Sequence, residues 1–191
     1  MEDCCEAHGA NHNGVKVGNF GDVSTFSFYY GHHMTTIEGG MVCTDDEEVY
    51  ERLLLLRSHG LLRELPESNQ KKYKDQEVDP SFTFMIPGFN MRSTELNAIL
   101  GMEQIKDLDE KIAIRNKNFS TFISRLNPEK YITDFDYEGC SNFCFPIIRK
   151  DDRVSEVKSK LIDNNIHIRP IIAGSLYEHP FISCNACALL F

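Results

Sequence analysis

The sequence predicts an α/β fold, on three observations. Residues 23–28, Val-Ser-Thr-Phe-Ser-Phe, alternate apolar with small polar side chains, the period of a half-buried strand. Residues 94–126 repeat apolar side chains at three- and four-residue spacing, the period of a helix. Residues 143–148, 153–164 and 166–172 read as strand, helix and strand, and such a β-α-β unit favours a sheet with helical crossovers.

In chain order, Asn13-Gly14 between short flanks is a hairpin turn, because both residues accept positive φ. Glu38-Gly39-Gly40 requires a turn or a close backbone approach, and Met41-Val42-Cys43 then makes a second short strand. Thr44 and Glu47 have capping-box spacing, which predicts a helix over 45–58, stopped by Gly60. Residues 61–87 are polar, with Lys71, Lys72 and Lys74 close together, and are expected to form a long loop. The helix over 94–126 keeps Ile105, Leu108, Ile112, Phe119, Phe122 and Leu126 on one face. At ~1.5 Å per residue it exceeds the width of a small domain and is expected to bridge two.

Composition narrows the function classes. A chain of 191 residues makes one domain, or one and a piece of a second. Apolar residues at 41% and charged ones at 26% exclude a disordered or low-complexity protein. No apolar run approaches the ~20 residues of a bilayer span, and the acidic N-terminus is unlike a signal peptide. A net charge of −9 argues against nucleic acid as a partner. Seven cysteines, two of them adjacent, suit reduced thiols better than a secreted disulfide framework. The chain opens on dense motif residues and closes on Ala188-Leu189-Leu190-Phe191, which reads as a fragment.

Three clusters hold the residues able to do chemistry: Glu2-Asp3-Cys4-Cys5-Glu6-Ala7-His8-Gly9-Ala10, Ser24-Thr25-Phe26-Ser27-Phe28, and Gly31-His32-His33-Met34-Thr35-Thr36-Ile37-Glu38-Gly39-Gly40. With Pro87-Gly88-Phe89-Asn90-Met91-Arg92 and the run from Glu95 to Gly101, they resemble consecutive motifs of the DegT-type sugar aminotransferase family. That resemblance covers the chain as far as Phe181. It implies the fold type I architecture and pyridoxal 5′-phosphate as cofactor. Residues 1–105 would form the second half of a large domain, and 106–191 the start of a smaller one.

The resemblance also implies roles. Asp3 matches the aspartate that pairs with the cofactor's pyridine nitrogen and keeps its ring an electron sink. Glu6 stands where the family usually has glutamine, near the ring hydroxyl. Ser27 matches a phosphate-binding serine, and Asn90 an asparagine that reaches the phosphate in the neighbouring subunit. Each has a plainer reading: a turn aspartate, a strand serine, a turn asparagine.

The chain departs from the family pattern at His32. Aminotransferases of the family carry there the lysine that forms a Schiff base with the cofactor, and imidazole forms no stable one. Lys16 and Lys71 are the nearest lysines, both in polar, loop-like sequence. Imidazole can instead move a proton near neutral pH. The same change marks a branch that this sequence resembles, the sugar 3-dehydratases working with pyridoxamine phosphate. One kind holds an iron–sulfur cluster, which takes about four close thiolates. The region after His59-Gly60, where that kind has them, carries none. Residues 57–63 resemble the clusterless kind, the GDP-4-keto-6-deoxymannose 3-dehydratases of colitose biosynthesis.

This branch resemblance implies 3-dehydration of a nucleotide-linked 4-keto-6-deoxy sugar, with His32 as base and then acid and glutamate restoring the cofactor's amine. It also implies a cytoplasmic homodimer with shared active sites. Two other readings stand beside it: a catalytically inactive truncated fragment, and a nucleotide-sugar aminotransferase, against which the missing lysine weighs. Cys184-x-x-Cys187 is one knuckle without an evident second, and no metal site is expected.

Overall fold

The computed structural model describes residues 1–73, 78–170 and 175–183. They divide into two compact units: Met1–Thr121 with Asp136–Phe143, and Phe122–Phe135 with Cys144–Phe191. The division falls inside the long helical region.

The first unit holds the strands β1 (Glu2–Asp3), β2 (Asn11–His12), β3 (Val15–Lys16), β4 (Ser24–Ser27) and β5 (Gly40–Cys43). Strands β2 and β3 form the expected hairpin, turning on Asn13 at φ 52° and Gly14 at φ 80°. A three-stranded sheet has the order β1-β4-β5, with β1 parallel and β5 antiparallel to β4. The glycines before β5 are required: a Cβ on Gly40 would sit 2.9 Å from the Phe26 carbonyl, and one on Gly39 would collide with the Thr36 hydroxyl.

Helix α1 (Glu47–Arg57) starts later than predicted, and its cap is Asp46 rather than Thr44. The Asp46 carboxylate accepts from the amides of Glu48 at 2.8 Å and Val49 at 3.0 Å, where a negative charge also meets the helix dipole. Thr44 is engaged elsewhere, donating to the Asp22 carbonyl at 2.7 Å.

The long loop expected over 61–87 is instead partly core. Leu62 and Leu65 are buried with Leu55 of α1, and Leu54, Tyr73, Met85 and Ile86 pack against them. Short 3-10 turns at Leu62–Glu64, Lys71–Tyr73 and Pro80–Phe82, and helix α2 (Glu67–Gln70), carry the chain around this cluster. Residues 74–77, with Lys74, lie outside the described residues. The strand-like run beyond is tied back to the end of α1, through Met85 N to Gly60 O at 2.7 Å and His59 N to Phe89 O at 2.7 Å.

The single helix predicted over 94–126 is two: α3 (Glu95–Gln104) and α4 (Leu108–Arg125), with a 3-10 turn at Ile105–Asp107 between them. A 3-10 turn advances three residues per turn, so the apolar stripe loses register there. Ile105 is accordingly exposed, whereas Ile112, Phe119 and Ile123 are buried.

In the second unit, helix α5 (Val154–Asp163) forms as expected, and α6 (Pro180–Ser183) comes after a 3-10 turn. The flanking strands do not form among the described residues; Tyr131 and Arg149 share a single bridge. Alternation makes a strand only where a partner supplies the ladder bonds, and residues 143–148 find one such contact. Residues 171–174 and 184–191, with Cys184 and Cys187, lie outside the described residues.

Candidate functional site

The site is assembled at the carboxyl ends of β1 and β4, a parallel pair with Asp3 opposite Thr25. Ligands of α/β sheets gather at such ends. Register is fixed by Glu2, whose carboxylate accepts from the amides of Gly18, Phe20 and Gly21, each at 2.7 Å. Those bonds, Gly18 foremost, hold Glu2 below the usual carboxylate range, so the pin stays charged. Sequence reading missed Glu2, because an exposed acid near a terminus looks like solvated surface.

Asp3 lies at the strand end, exposed, with Oδ1 accepting from the Cys5 amide at 3.1 Å. The Cys5 side chain and amide lower its pKa, and the nearby His32 adds to this. Asp3 is thus a carboxylate with one oxygen engaged in a turn, so both roles open to it in the sequence are compatible. Ser27 ends β4; its Oγ accepts from the Tyr29 amide at 3.3 Å, leaving its own hydrogen to donate. Glu6 lies exposed on the segment after β1. Asn90 is exposed too, paired in a bridge with Ser58, and its Oδ1 accepts from Arg92 Nε at 3.4 Å.

His32 sits in the loop between β4 and β5, half-buried. Its amide donates to the Tyr29 carbonyl at 3.1 Å. Its Nδ1 is buried without a hydrogen-bond partner, which leaves Nε2 as the open nitrogen. The ring packs 5.5 Å from Phe143 and 6.3 Å from both Tyr29 and His8, centroid to centroid.

Behind it lies a second layer that sequence reading left unassigned. His33 is 5% exposed and its Nε2 donates to the Ser141 carbonyl at 3.2 Å. Burial first, and then the positive Arg115, push its pKa down to about 4, so it is neutral near pH 7. His8, 3% exposed, lies 5.4 Å from His33, and burial followed by nearby His32 lowers its pKa as well. Helix α4 holds the shelf beneath them: Arg115 Nη1 donates to the Phe143 carbonyl at 3.3 Å, and Asn116 bonds to Cys140 and Asn142. The adjacent His32-His33 pair gave no sign in sequence that the two face different surroundings.

The residues present suit a phosphorylated, protonated pyridine. An anionic Asp3, a serine with a free hydroxyl hydrogen and an imidazole with one open nitrogen gather near one sheet end. No lysine among the described residues joins them. An open cleft lined by His59 and residues 84–88 lies apart from this group and includes none of it. No group of three potential metal ligands occurs among the described residues, and no described helix is long and apolar enough to cross a membrane.

Residues 1–186 match the DegT/DnrJ/EryC1/StrS aminotransferase family. The chain is 38% identical over 188 residues to the GDP-4-keto-6-deoxy-D-mannose 3-dehydratase of Escherichia coli O55:H7, a match over 94% of this chain and 48% of the relative. Against the Yersinia pseudotuberculosis protein of the same name it is 39% identical, over 94% of this chain and 47% of that protein. The chain therefore spans about half the length of the curated relatives it matches. Among solved structures, the E. coli 3-dehydratase with bound hydrated PLP superposes with a TM-score of 0.82 at 36% identity, covering 98% of this chain and 48% of that one. A GDP-4-keto-6-deoxymannose-3-dehydratase holding a trapped PLP-glutamate geminal diamine gives 0.79 at 33% identity, covering 97% of this chain and 48% of that one. These neighbours share the α/β, fold type I aminotransferase-like architecture. The chain belongs to the DegT/DnrJ/EryC1/StrS aminotransferase family.

Proposed function

We propose that this chain serves the 3-dehydration of a nucleotide-linked 4-keto-6-deoxy sugar, with pyridoxal/pyridoxamine 5′-phosphate as cofactor and glutamate as amine donor. One observation carries the reading: His32, with Nδ1 buried and Nε2 open, lies near Asp3, and no described lysine accompanies it. The 3-dehydratases of E. coli and Y. pseudotuberculosis support it through their similarity to this chain.

The cofactor, when bound, supplies the amine that meets the sugar's keto group and a ring that takes up the electron pair. Asp3, held anionic, would pair with the ring nitrogen and keep it protonated. Ser27 Oγ, whose hydrogen is left to donate, would bind the phosphate, and Glu6 would stand on the side of the ring hydroxyl. Asn90 would reach the cofactor phosphate of a second copy, and the working unit would then be a homodimer. His32 Nε2 takes up a proton and delivers it to the departing 3-hydroxyl, which leaves as water. Ammonia and the 3-deoxy-4-keto sugar are released, and glutamate becomes 2-oxoglutarate as the amine is restored. Residues 1–105 belong to a large cofactor-binding domain and 106–191 to a smaller one, in a cytoplasmic enzyme.

The test supplies purified protein with cofactor, glutamate and GDP-4-keto-6-deoxymannose, then measures ammonia, 2-oxoglutarate and a product lighter by one oxygen atom. His32→Asn should cut turnover by ~10²–10⁴-fold, the usual contribution of a positioned acid/base. An amino sugar formed without ammonia would identify an aminotransferase instead.

A further inference from the structure

The loop that carries His32 is held by a helix more than sixty residues further along the chain. Gln104 Oε1 accepts from the Thr35 amide at 3.0 Å while its Nε2 donates to the Thr35 carbonyl at 2.8 Å. One side chain thus meets both backbone groups of one residue, as a neighbouring strand would. Two turns earlier on α3, Asn97 Nδ2 donates to the carbonyls of Thr36 at 2.8 Å and Glu38 at 3.2 Å. Between them lies Gly101, where a Cβ would press on Thr36 Cγ2 at 3.2 Å, so the loop lies close on the helix.

The two carbonyls held by Asn97 flank Ile37, whose φ is +74°. A β-branched residue rarely adopts that conformation, and it persists only where the surroundings over-determine it. Ile37 is 63% exposed, so burial of its own side chain does not offset the cost. Bonds within the loop, from the Ile37 amide to Thr35 Oγ1 at 2.9 Å and from Thr36 Oγ1 to the Glu38 carbonyl at 2.8 Å, shape the turn, and the bonds from α3 fix it to the helix. The same two threonines are tied to the residue that follows β4, through Thr36 N and Thr35 Oγ1 to the Phe28 carbonyl at 2.8 and 3.1 Å. The buried Nδ1 of His32 has no hydrogen bond to fix the ring, so its position depends on packing against Phe143, Tyr29 and His8 and on the loop backbone that these anchors hold.

We propose that Asn97 and Gln104 are positioning residues for His32, acting through the backbone of Thr35, Thr36 and Glu38. The proposal rests on reading His32 as the residue that moves the proton. Asn97 has a second duty: its Oδ1 accepts from the Thr94 amide at 3.0 Å and the Thr94 hydroxyl at 2.6 Å, capping α3. That duality separates the two roles. Asn97→Asp keeps the capping oxygen and loses both donors to the loop. Gln104→Glu keeps the acceptor for the Thr35 amide and loses the donor, and Gln104→Asn keeps the neutral amide but shortens the reach.

The experiment compares amide hydrogen exchange and steady-state kinetics of the purified protein and these variants. Exchange across residues 29–39 should quicken at least ~10-fold with α3 unchanged, as for a locally released loop. In the same variants kcat should fall about 10- to 100-fold with KM for the nucleotide sugar within about threefold, the cost of a misplaced reacting group. Gln104→Asn, the mildest change, covers the case in which a charged variant does not fold. Unchanged exchange in the loop, or exchange that rises equally in α3, would overturn the proposal. A released loop in a protein whose wild type shows no dehydration would instead refute the reaction assigned to His32 and leave the anchor standing.

Discussion

His32 and His33 are neighbours in sequence and belong to two different regions of the molecule. The His32 side of the loop is open at Nε2 and close to a carboxylate, while the His33 side is sealed against residues 140–143. One imidazole keeps a nitrogen open to a bound molecule; the other is held neutral by burial. The same side chain is therefore left open or packed away according to which face of one turn it occupies. A histidine count in a motif carries no function until the surroundings of each ring are known.

The sharpest way to break this contrast is His32→Lys. A lysine at position 32 restores a Schiff-base nucleophile but brings a strongly basic amine where a near-neutral acid/base is needed. Dehydration should fall by more than ~10³-fold, while cofactor becomes attached to residue 32 on borohydride reduction. The wild type should give no such adduct on any lysine of the chain. Mass spectrometry of the reduced proteins, beside an ammonia assay, reads both. Retained turnover in this variant would move the proton-carrying role away from His32.

How much of this was legible in the sequence differs along the chain. The hairpin at Asn13-Gly14 and the strands β4 and β5 were legible because turn chemistry and two-residue alternation are local signals. Asp46 displaced Thr44 as the cap since two capping residues lay within reach, and Thr44 found Asp22, which no local pattern reveals. Leu61, Leu62 and Leu65 read as part of a polar loop, yet three leucines in five residues supplied enough apolar surface to make a core with α1. The patterns over 143–148 and 166–172 predict strands, but a strand is a property of a pair, and none forms there among the described residues. In the site, Asp3, Glu6, Ser27, His32 and Asn90 were singled out by motif, and Asp3, Ser27 and His32 lie near one sheet end. Asn97 and Gln104 were not, because polar positions on an amphipathic helix look solvated until a loop from elsewhere is found lying on them.

The next largest effect concerns acid stability. The folded pKa of His33 is pushed down to about 4 from an ordinary value near 6.5, so the unfolded chain binds its proton at higher pH than the fold does. Stability from keeping this ring neutral is therefore complete above about pH 6.5 and is lost as pH falls toward 4, at up to about 1.4 kcal/mol per pH unit. His8 lies in the same cluster with its pKa also lowered, and steepens the same limb. His33→Leu should cost about 1 kcal/mol at pH 7.5 by leaving the Ser141 carbonyl without its donor. By pH 5 the variant should match or exceed the wild type in urea melts. An acid limb of equal slope in the two proteins would show that His33 is not what the fold protects from protonation.

The smallest effect probes the shelf on which His33 rests. Asn116 on α4 accepts from the Asn142 amide at 3.1 Å and from Asn142 Nδ2 at 2.7 Å, and donates to the Cys140 carbonyl at 2.8 Å. These bonds bracket Ser141, whose carbonyl receives the His33 proton. Asn116→Ala removes them without touching either histidine. Part of the shelf is solvent-exposed and water replaces the lost Cys140 bond, so the loss should be about 1 kcal/mol at pH 7.5, the net value of such a group. The informative comparison is at lower pH: with Ser141 less firmly placed, His33 loses in part a bond that its cation also makes and that by itself raises its pKa, while burial still holds the ring neutral. The acid limb should persist, shifted by less than about half a pH unit. Disappearance of the limb in Asn116→Ala would mean that the shelf, rather than burial of the ring, keeps His33 neutral. The contrast between the two histidines would then be set by helix α4 more than by the loop.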